Sequence, residues 1–258
     1  MSEATMALQD QGQDGGLPRR REELEEVYAG RMGSTFLRWR FQPGELEAVL
    51  GHDWSRLGRR LFIDPERGEV TVMETSARHA VTAELVAFLL GHSTLALSIQ
   101  LVATGRTTWS APGSRRIEAD NSFYLGSSAE RLLSARRNNE MNDDEFAREN
   151  PPELVVEMER SHGDAGRSEA YRSFGVAEMW RIDAGSDHAL SVEILNLHDG
   201  ARAVERSAVL PGLTPEVIGR VLEVGRTEGP VVMQREVIAA GIRRRALLHG
   251  RVWHGPRP

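Results

Sequence analysis

The chain has 258 residues, 40% of them hydrophobic, so it is long enough to bury one substantial core. Its formal net charge of −6 argues against a protein that coats nucleic acid by bulk electrostatics, because such binding depends on neutralising many phosphates. Cysteine is absent, which excludes disulfides, thiolate metal sites and a cysteine nucleophile, and all 32 basic residues are arginine because the sequence contains no lysine.

The N-terminal part of the chain divides into two segments by composition. Residues 1–22 are polar, end in an arginine run and lack the apolar content to pack, so we predict that they are disordered. Residues 23–60 form an N-terminal extension, with a short helix predicted over 43–50 after a Pro-Gly turn. The N-terminus has no signal-like segment, and the longest apolar runs, such as 85–90, are far shorter than the roughly 18 to 20 residues that cross a bilayer. We therefore expect a cytoplasmic protein with no membrane partner.

Regular elements are predicted from residue 61 onward. The segments 61–64 and 69–73 predict a β-hairpin, because the Pro-Glu-Arg-Gly sequence between them suits a tight turn. Apolar residues at helical spacing after Val81 predict a helix that ends at Gly91. Further strands are predicted over 97–103, 106–109 and 121–125. The charged stretch 127–150 is expected to be an exposed helix or an insertion.

The second half of the chain begins with a continuous apolar run, 154–158, interrupted only by Glu157. Such a run is typical of a central strand that is buried on both faces. A helix is predicted over 167–174, strands over 178–183, 191–197 and 203–208, and helices over 215–224 and 233–248. This order of elements favours an α+β fold with a mixed sheet.

The carboxylate of Glu157 points to chemistry because of where it lies. An unpaired charge inside an apolar strand would cost several kcal/mol, so Glu157 needs a cation partner or a proton. Mg²⁺ is usually bound by one or two carboxylates with water and phosphate, and Asp120 and Glu157 form the candidate pair. The alternation of strand side chains puts Glu159 on the same face, and the carbonyl of Met158 is a further candidate ligand. For a strand carboxylate taken alone, pairing with an arginine or with solvent is the commoner explanation.

Five sequence blocks add to this pattern because they occur in a fixed order. The blocks are VMETSARH at 72–79, TTW at 107–109, EADNSFY at 118–124, PELVVE at 152–157 and YRSFGVAEMWR at 171–181. Over residues 70–213 they resemble the putative restriction endonuclease family of the PD-(D/E)XK nuclease superfamily. The resemblance implies an α+β, three-layer α/β/α fold: a restriction-endonuclease-like core with a mixed central sheet flanked by helices. We expect this domain to span 61–224, with a C-terminal helical extension at 225–258.

The resemblance also implies roles for individual residues. Asp120 matches the aspartate of the PD element, although Ala119 replaces the usual proline, and Glu157 matches the acidic residue of the (D/E)XK element. In this family the lysine comes from the following helix, at the position that Arg167 occupies here. A guanidinium can stabilise charge on a phosphate, but it stays protonated and cannot readily accept a proton. The implied cofactor is Mg²⁺ or Mn²⁺, the implied partner is nucleic acid, with DNA expected before RNA, and a homodimer is an open possibility.

Two accessory residues and two functions are left open by the sequence. His79 and Glu84 are accessory site candidates, while a capping or core histidine and an exposed helix glutamate are the commoner explanations. The aromatic residues of the five blocks are more often core residues than nucleic-acid contacts. The first function is a metal-dependent endonuclease that uses Asp120, Glu157 and Arg167 to hydrolyse phosphodiester bonds. The alternative is a catalytically inactive nuclease-fold protein that binds nucleic acid or a protein partner.

Overall fold

The regular elements are taken from a computed structural model, which describes residues 17–18, 25–29, 35–52, 54, 60–74, 77–105, 107–110, 116–158, 165–183 and 190–240. The strands are β1 (Glu25–Ala29), β2 (Thr35–Arg40), β3 (Arg60–Asp64), β4 (Glu69–Glu74), β5 (Leu101–Gly105), β6 (Thr108–Ser110), β7 (Arg116–Glu118), β8 (Asn121–Leu125), β9 (Leu154–Glu157), β10 (Glu178–Asp183), β11 (Ser191–Asn196) and β12 (Arg202–Val204). The helices are α1 (Leu46–Gly51), α2 (Ala77–Leu97), α3 (Ser127–Asn138), α4 (Asp143–Glu149), α5 (Ala165–Ser173), α6 (Pro215–Glu228) and α7 (Pro230–Ala239).

The strands form two sheets. The central sheet has the order β12-β11-β10-β9-β8-β5, and only its β9–β10 pair is parallel among the described pairs, so the predicted mixed sheet and α+β class are confirmed. The N-terminal sheet has the order β1-β2-β4-β3-β7-β6 and is antiparallel. Its β1, β2 and β7 lie in segments for which the sequence predicted no strand. The predicted hairpin is present in this sheet as β3 and β4.

The largest core lies between one face of the central sheet and helices α2, α6 and α7. Val86, Leu89 and Leu90 of α2 are fully buried there. By length and composition alone, His79–Leu97 would also pass as a membrane span. Its packing against α6, α7 and the central sheet is that of a core helix.

Helix α2 continues beyond Gly91, so the predicted end at this residue is wrong. The hydroxyls of Ser93 and Thr94 donate to the carbonyls of Leu89 and Leu90, at 2.7 and 2.8 Å, and both hydroxyl side chains are buried. A glycine inside a helix costs only about 1 kcal/mol, and the apolar burial along α2 outweighs that cost. Strand β5 consequently begins at Leu101 rather than at residue 97.

The opposite face of the central sheet packs against α5 and part of the N-terminal sheet. This second core contains Phe62, Trp109, Val155, Tyr171 and Met179. The rings of Trp109 and Tyr171 meet edge to face, with centroids 5.9 Å apart. The expectation that these two aromatic residues are core residues is confirmed, since both are buried.

Three smaller differences from the predicted elements concern the middle and the end of the chain. The stretch 127–150 forms α3 and α4, which bury Leu132 and Phe146 against Tyr124 and are therefore not simply exposed. Strand β12 ends at Val204, four residues before the predicted end. The helix predicted over 233–248 corresponds to α7 as far as Ala239, and residues 241–248 lie outside the described part of the chain.

Candidate active site

Strand register brings the two candidate carboxylates together. Strands β8 and β9 are antiparallel, and Asn121 is paired with Val156. Asp120 directly precedes β8 and Glu157 is the last residue of β9, so continuing this register by one residue places the two side by side at the adjoining ends of the strands. Both residues are buried, with 5% and 4% of their surface exposed. Two acidic side chains therefore lie close together in a buried place, and a negative charge on either of them needs a compensating partner.

The carboxylate of Asp120 is held by donors from two other elements. Nε2 of His79, near the start of α2, lies 2.7 Å from Oδ1. The backbone N–H of Met158 donates to Oδ2 at 2.7 Å. His79 is buried like its partner. The two contacts fix the carboxylate at the junction of α2, β8 and β9.

The carboxylate of Glu157 is held from helix α5. Nη2 of Arg167 donates to Oε1 at 2.6 Å, and the hydroxyl of Tyr171 donates to the same oxygen. Arg167 and Tyr171 are four residues apart on α5, a spacing that puts two side chains on one face of a helix. The buried Glu157 carboxylate is therefore paired with the Arg167 guanidinium, and the Tyr171 hydroxyl adds a second hydrogen bond.

The guanidinium of Arg167 is fixed by more than this ion pair. Its Nη2 also donates to the carbonyl of Glu118 at 3.0 Å. Its Cζ lies 5.7 Å from the centroid of the Phe62 ring, within the range of a cation–π contact. Only 7% of Arg167 is exposed. The side chain thus contacts two groups of the N-terminal sheet as well as Glu157 of the central sheet.

The donor set can be compared with the needs of a divalent metal. No group of three or more His, Asp or Glu side chains within the described residues could hold a metal ion. Mg²⁺ nevertheless needs only one or two carboxylates, with water and phosphate completing its octahedron. Oε1 of Glu157 already accepts hydrogen bonds from Arg167 and Tyr171, so a metal ion would bind Glu157 through its other carboxylate oxygen. Asp120 and Glu157 therefore fit Mg²⁺ as a two-carboxylate site.

The sequence also pointed to Glu84, Met158 and Glu159 as site residues. Glu84 is on the exposed face of α2, with no described contact to Asp120 or Glu157. Met158 directs its side chain into the main core and its N–H to Asp120. Glu159 lies outside the described residues. Tyr171 was assigned only to the core by sequence, although its spacing from Arg167 was a signal for its place in the site.

Together, the mixed sheet, the adjacent carboxylates at the ends of neighbouring strands and a basic residue from the following helix define a nuclease-like α+β protein of the PD-(D/E)XK kind. The model of the Uma2 family, described as "Putative restriction endonuclease", matches residues 54–226. This match covers more than half of the chain, and the chain belongs to that family. No curated protein matches the chain. Family membership supports a nuclease-like function with nucleic acid as the substrate class.

Proposed function

We propose that the protein is a metal-dependent endonuclease that hydrolyses phosphodiester bonds, with DNA as its first candidate substrate. The observation that carries the proposal is that Asp120 and Glu157 are both buried at the adjoining ends of β8 and β9, with the Met158 N–H on Asp120 and Arg167 on Glu157. Family membership supports the nuclease class, in which divalent metals are generally required. Mg²⁺ or Mn²⁺, when bound, would supply Lewis-acid polarisation of the phosphate and acidification of water.

The contacts of each site residue indicate its role in the proposed reaction. Asp120 and Glu157 would hold the metal, and His79 and the Met158 N–H orient the Asp120 carboxylate for that role. Hydrogen bonds that orient a metal-binding side chain typically raise metal affinity 10- to 100-fold. The guanidinium of Arg167 stays positively charged, so it can stabilise a more negative phosphate but does not take up the proton of the attacking water.

A second function, a catalytically inactive nuclease-fold protein that binds nucleic acid, is favoured by one specific observation. Arg167 already neutralises Glu157 at 2.6 Å, and its guanidinium is held by Glu118 as well. A divalent ion at Glu157 would have to share this carboxylate with a fixed cation, which lowers its affinity. The two functions share one fold and differ in whether the metal binds productively.

The first experiment is cleavage of supercoiled plasmid and of single-stranded DNA by the purified full chain with Mg²⁺, with Mn²⁺ or with EDTA. We expect metal-dependent cutting that falls by about 100-fold or more in Asp120→Ala and in Glu157→Gln, as for loss of a principal electrostatic group. Glu169→Gln is the matched control, because Glu169 lies on α5 in an exposed pair with Arg172. Cutting that survives both site variants would reject the assignment of the site.

The variant Arg167→Lys separates the two functions. Lysine restores the residue type that the family resemblance implies at this position, with a smaller and more mobile charge. Under the first function, the natural protein cuts DNA without this substitution. If cutting appears only in Arg167→Lys, the natural chain is catalytically inactive, and DNA binding by the natural chain would then support the second function.

A further inference from the structure

A row of charged side chains extends from the carboxylate pair across the central sheet. Arg181 of β10 is paired in register with Glu157 of β9, and Glu193 of β11 is paired with Arg181. The neighbours Val155, Met179 and Leu195 all belong to the core on the α5 side, so strand alternation puts the three charged residues on that same face. We call Glu157, Arg181 and Glu193 the charged row.

The two arginines near Glu157 differ in how far solvent reaches them. The Arg167 side chain is 9% exposed and is fixed by Glu157 and the Glu118 carbonyl. The Arg181 side chain is 21% exposed and forms an ion pair with Glu193 at 2.5 Å, in which the Glu193 side chain is 26% exposed. The partner of Arg181 is thus partly open to water, whereas the partner of Arg167 is buried.

We propose that Arg181 is a substrate-contacting residue that binds a phosphate of the nucleic acid, and that Glu193 holds its guanidinium in place until the phosphate arrives. This inference rests on the proposed function. A phosphate presents the same paired oxygens to a guanidinium as a carboxylate does, so it can replace Glu193 in the ion pair. With side chains 21% and 26% exposed, the pair lies between a buried and a fully exposed ion pair, and a phosphate can approach the guanidinium from the solvent side.

The position of Arg181 along the row suits this role. Adjacent strands lie about 4.8 Å apart, so Arg181 is one strand spacing from Glu157. Strands β9 and β10 are parallel, and both residues lie toward the carboxyl ends of their strands, so their side chains are on the same edge of the sheet. A phosphate bound to Arg181 would therefore lie next to the Glu157 carboxylate. The chain, which has no lysine, thus keeps an accessible cation at the site.

The test is equilibrium binding of the full chain to fluorescein-labelled 20-nucleotide single-stranded DNA and to the matching duplex. Fluorescence anisotropy in EDTA measures binding without cleavage. Arg181→Gln should weaken binding about 10-fold and reduce the slope of log K against log salt by about 0.9 on the duplex, as expected for one lost phosphate contact. Glu193→Gln should strengthen binding several-fold, and a gain of affinity does not arise from misfolding.

A matched control exists on the other side of the central sheet. Arg226 and Glu223 of α6 form an ion pair in which each side chain is 33% exposed. Arg226→Gln and Glu223→Gln should change affinity less than twofold. The proposal is overturned if Arg181→Gln leaves affinity and salt slope unchanged, if Glu193→Gln brings no gain, or if Arg226→Gln weakens binding equally. A chain that binds DNA through Arg181 but never cuts it would reject the proposed endonuclease and leave this inference standing.

Discussion

Arg167→Met removes the cation beside Glu157 while keeping a long unbranched side chain. The ion pair is short, at 2.6 Å, and its side chains are only 9% and 5% exposed, so water has little access to either charge. Removing one partner of a buried pair typically costs about 3 to 5 kcal/mol, because the remaining charge is left uncompensated. We expect the free energy of unfolding to fall by that amount at pH 7.

Urea denaturation followed by tryptophan fluorescence measures this change, since Trp109 and Trp180 are buried. The control is Arg172→Met on the same helix, where the ion pair with Glu169 is 47% and 45% exposed. That exposed pair should contribute less than about 1 kcal/mol. For a chain of this size the expected loss at Arg167 corresponds to a melting temperature lower by about 10 °C.

A double variant shows whether an uncompensated charge is the cause. Arg167→Met combined with Glu157→Gln removes both charges, so we expect it to be more stable than Arg167→Met alone. A loss in Arg167→Met no larger than that in Arg172→Met would contradict an uncompensated charge at Glu157. An equal stability of the single and double variants would contradict it as well.

Three further predictions test the site and the surface of the protein. Tyr171→Phe keeps the buried ring but removes the hydrogen bond to Glu157, and urea denaturation should show a loss of about 1.5 to 3 kcal/mol; a loss below about 0.5 kcal/mol would contradict that bond. Mg²⁺ at 100 times its Kd should stabilise Arg167→Met by about 2.7 kcal/mol and should raise its melting temperature more than that of the natural chain, and an equal rise in both would count against a shared carboxylate. Hydrogen bonds from Arg136 lower the pKa of Asp143 below its ordinary value of 3.8, so its stabilisation is present above pH 3.8 and is lost as pH falls through the lowered pKa. Asp143→Asn should therefore cost less than about 1 kcal/mol at pH 7 and nothing at the acid end of a pH series, and a difference that grew on acidification would contradict this sign.

The parts of the fold that could be predicted from sequence are those with strong local patterns. The apolar run of β9 and the turn between β3 and β4 are examples, and both are present. Strands β2 and β7 have long-range partners, β4 and β3, and the pairing of β7 with β3 spans more than 50 residues, so it has no local signal in the sequence. Strand β1 pairs with the nearby β2, so long-range pairing does not account for its omission. The continuation of α2 past Gly91 was missed because burial of the whole helix decides where it ends.

The sequence points to the residues of the candidate site but not to the contacts between them. The apolar run of β9 and the family blocks single out Asp120, Glu157 and Arg167, and their roles stay predictions. The register that makes Asp120 and Glu157 neighbours depends on a pairing between segments more than 30 residues apart. The carbonyl of Glu118 has no sequence signature, because every residue has a carbonyl. The charged row was hidden for the same reason, since it exists only through the register of three strands.

In a chain without lysine, two arginines lie near Glu157: Arg167 pairs with its carboxylate, and Arg181 is opposite it in the strand register. A lysine ammonium is a compact charge on a flexible stem, so it can turn from a carboxylate to a phosphate without leaving the site. The planar guanidinium of Arg167 is held by Glu157, the Glu118 carbonyl and the Phe62 ring, and turning it would break all three contacts. We therefore infer that Arg167 compensates the buried charge of Glu157 and that Arg181 binds the phosphate. The two substitutions should therefore separate, with Arg167 controlling the free energy of unfolding and Arg181 controlling DNA affinity.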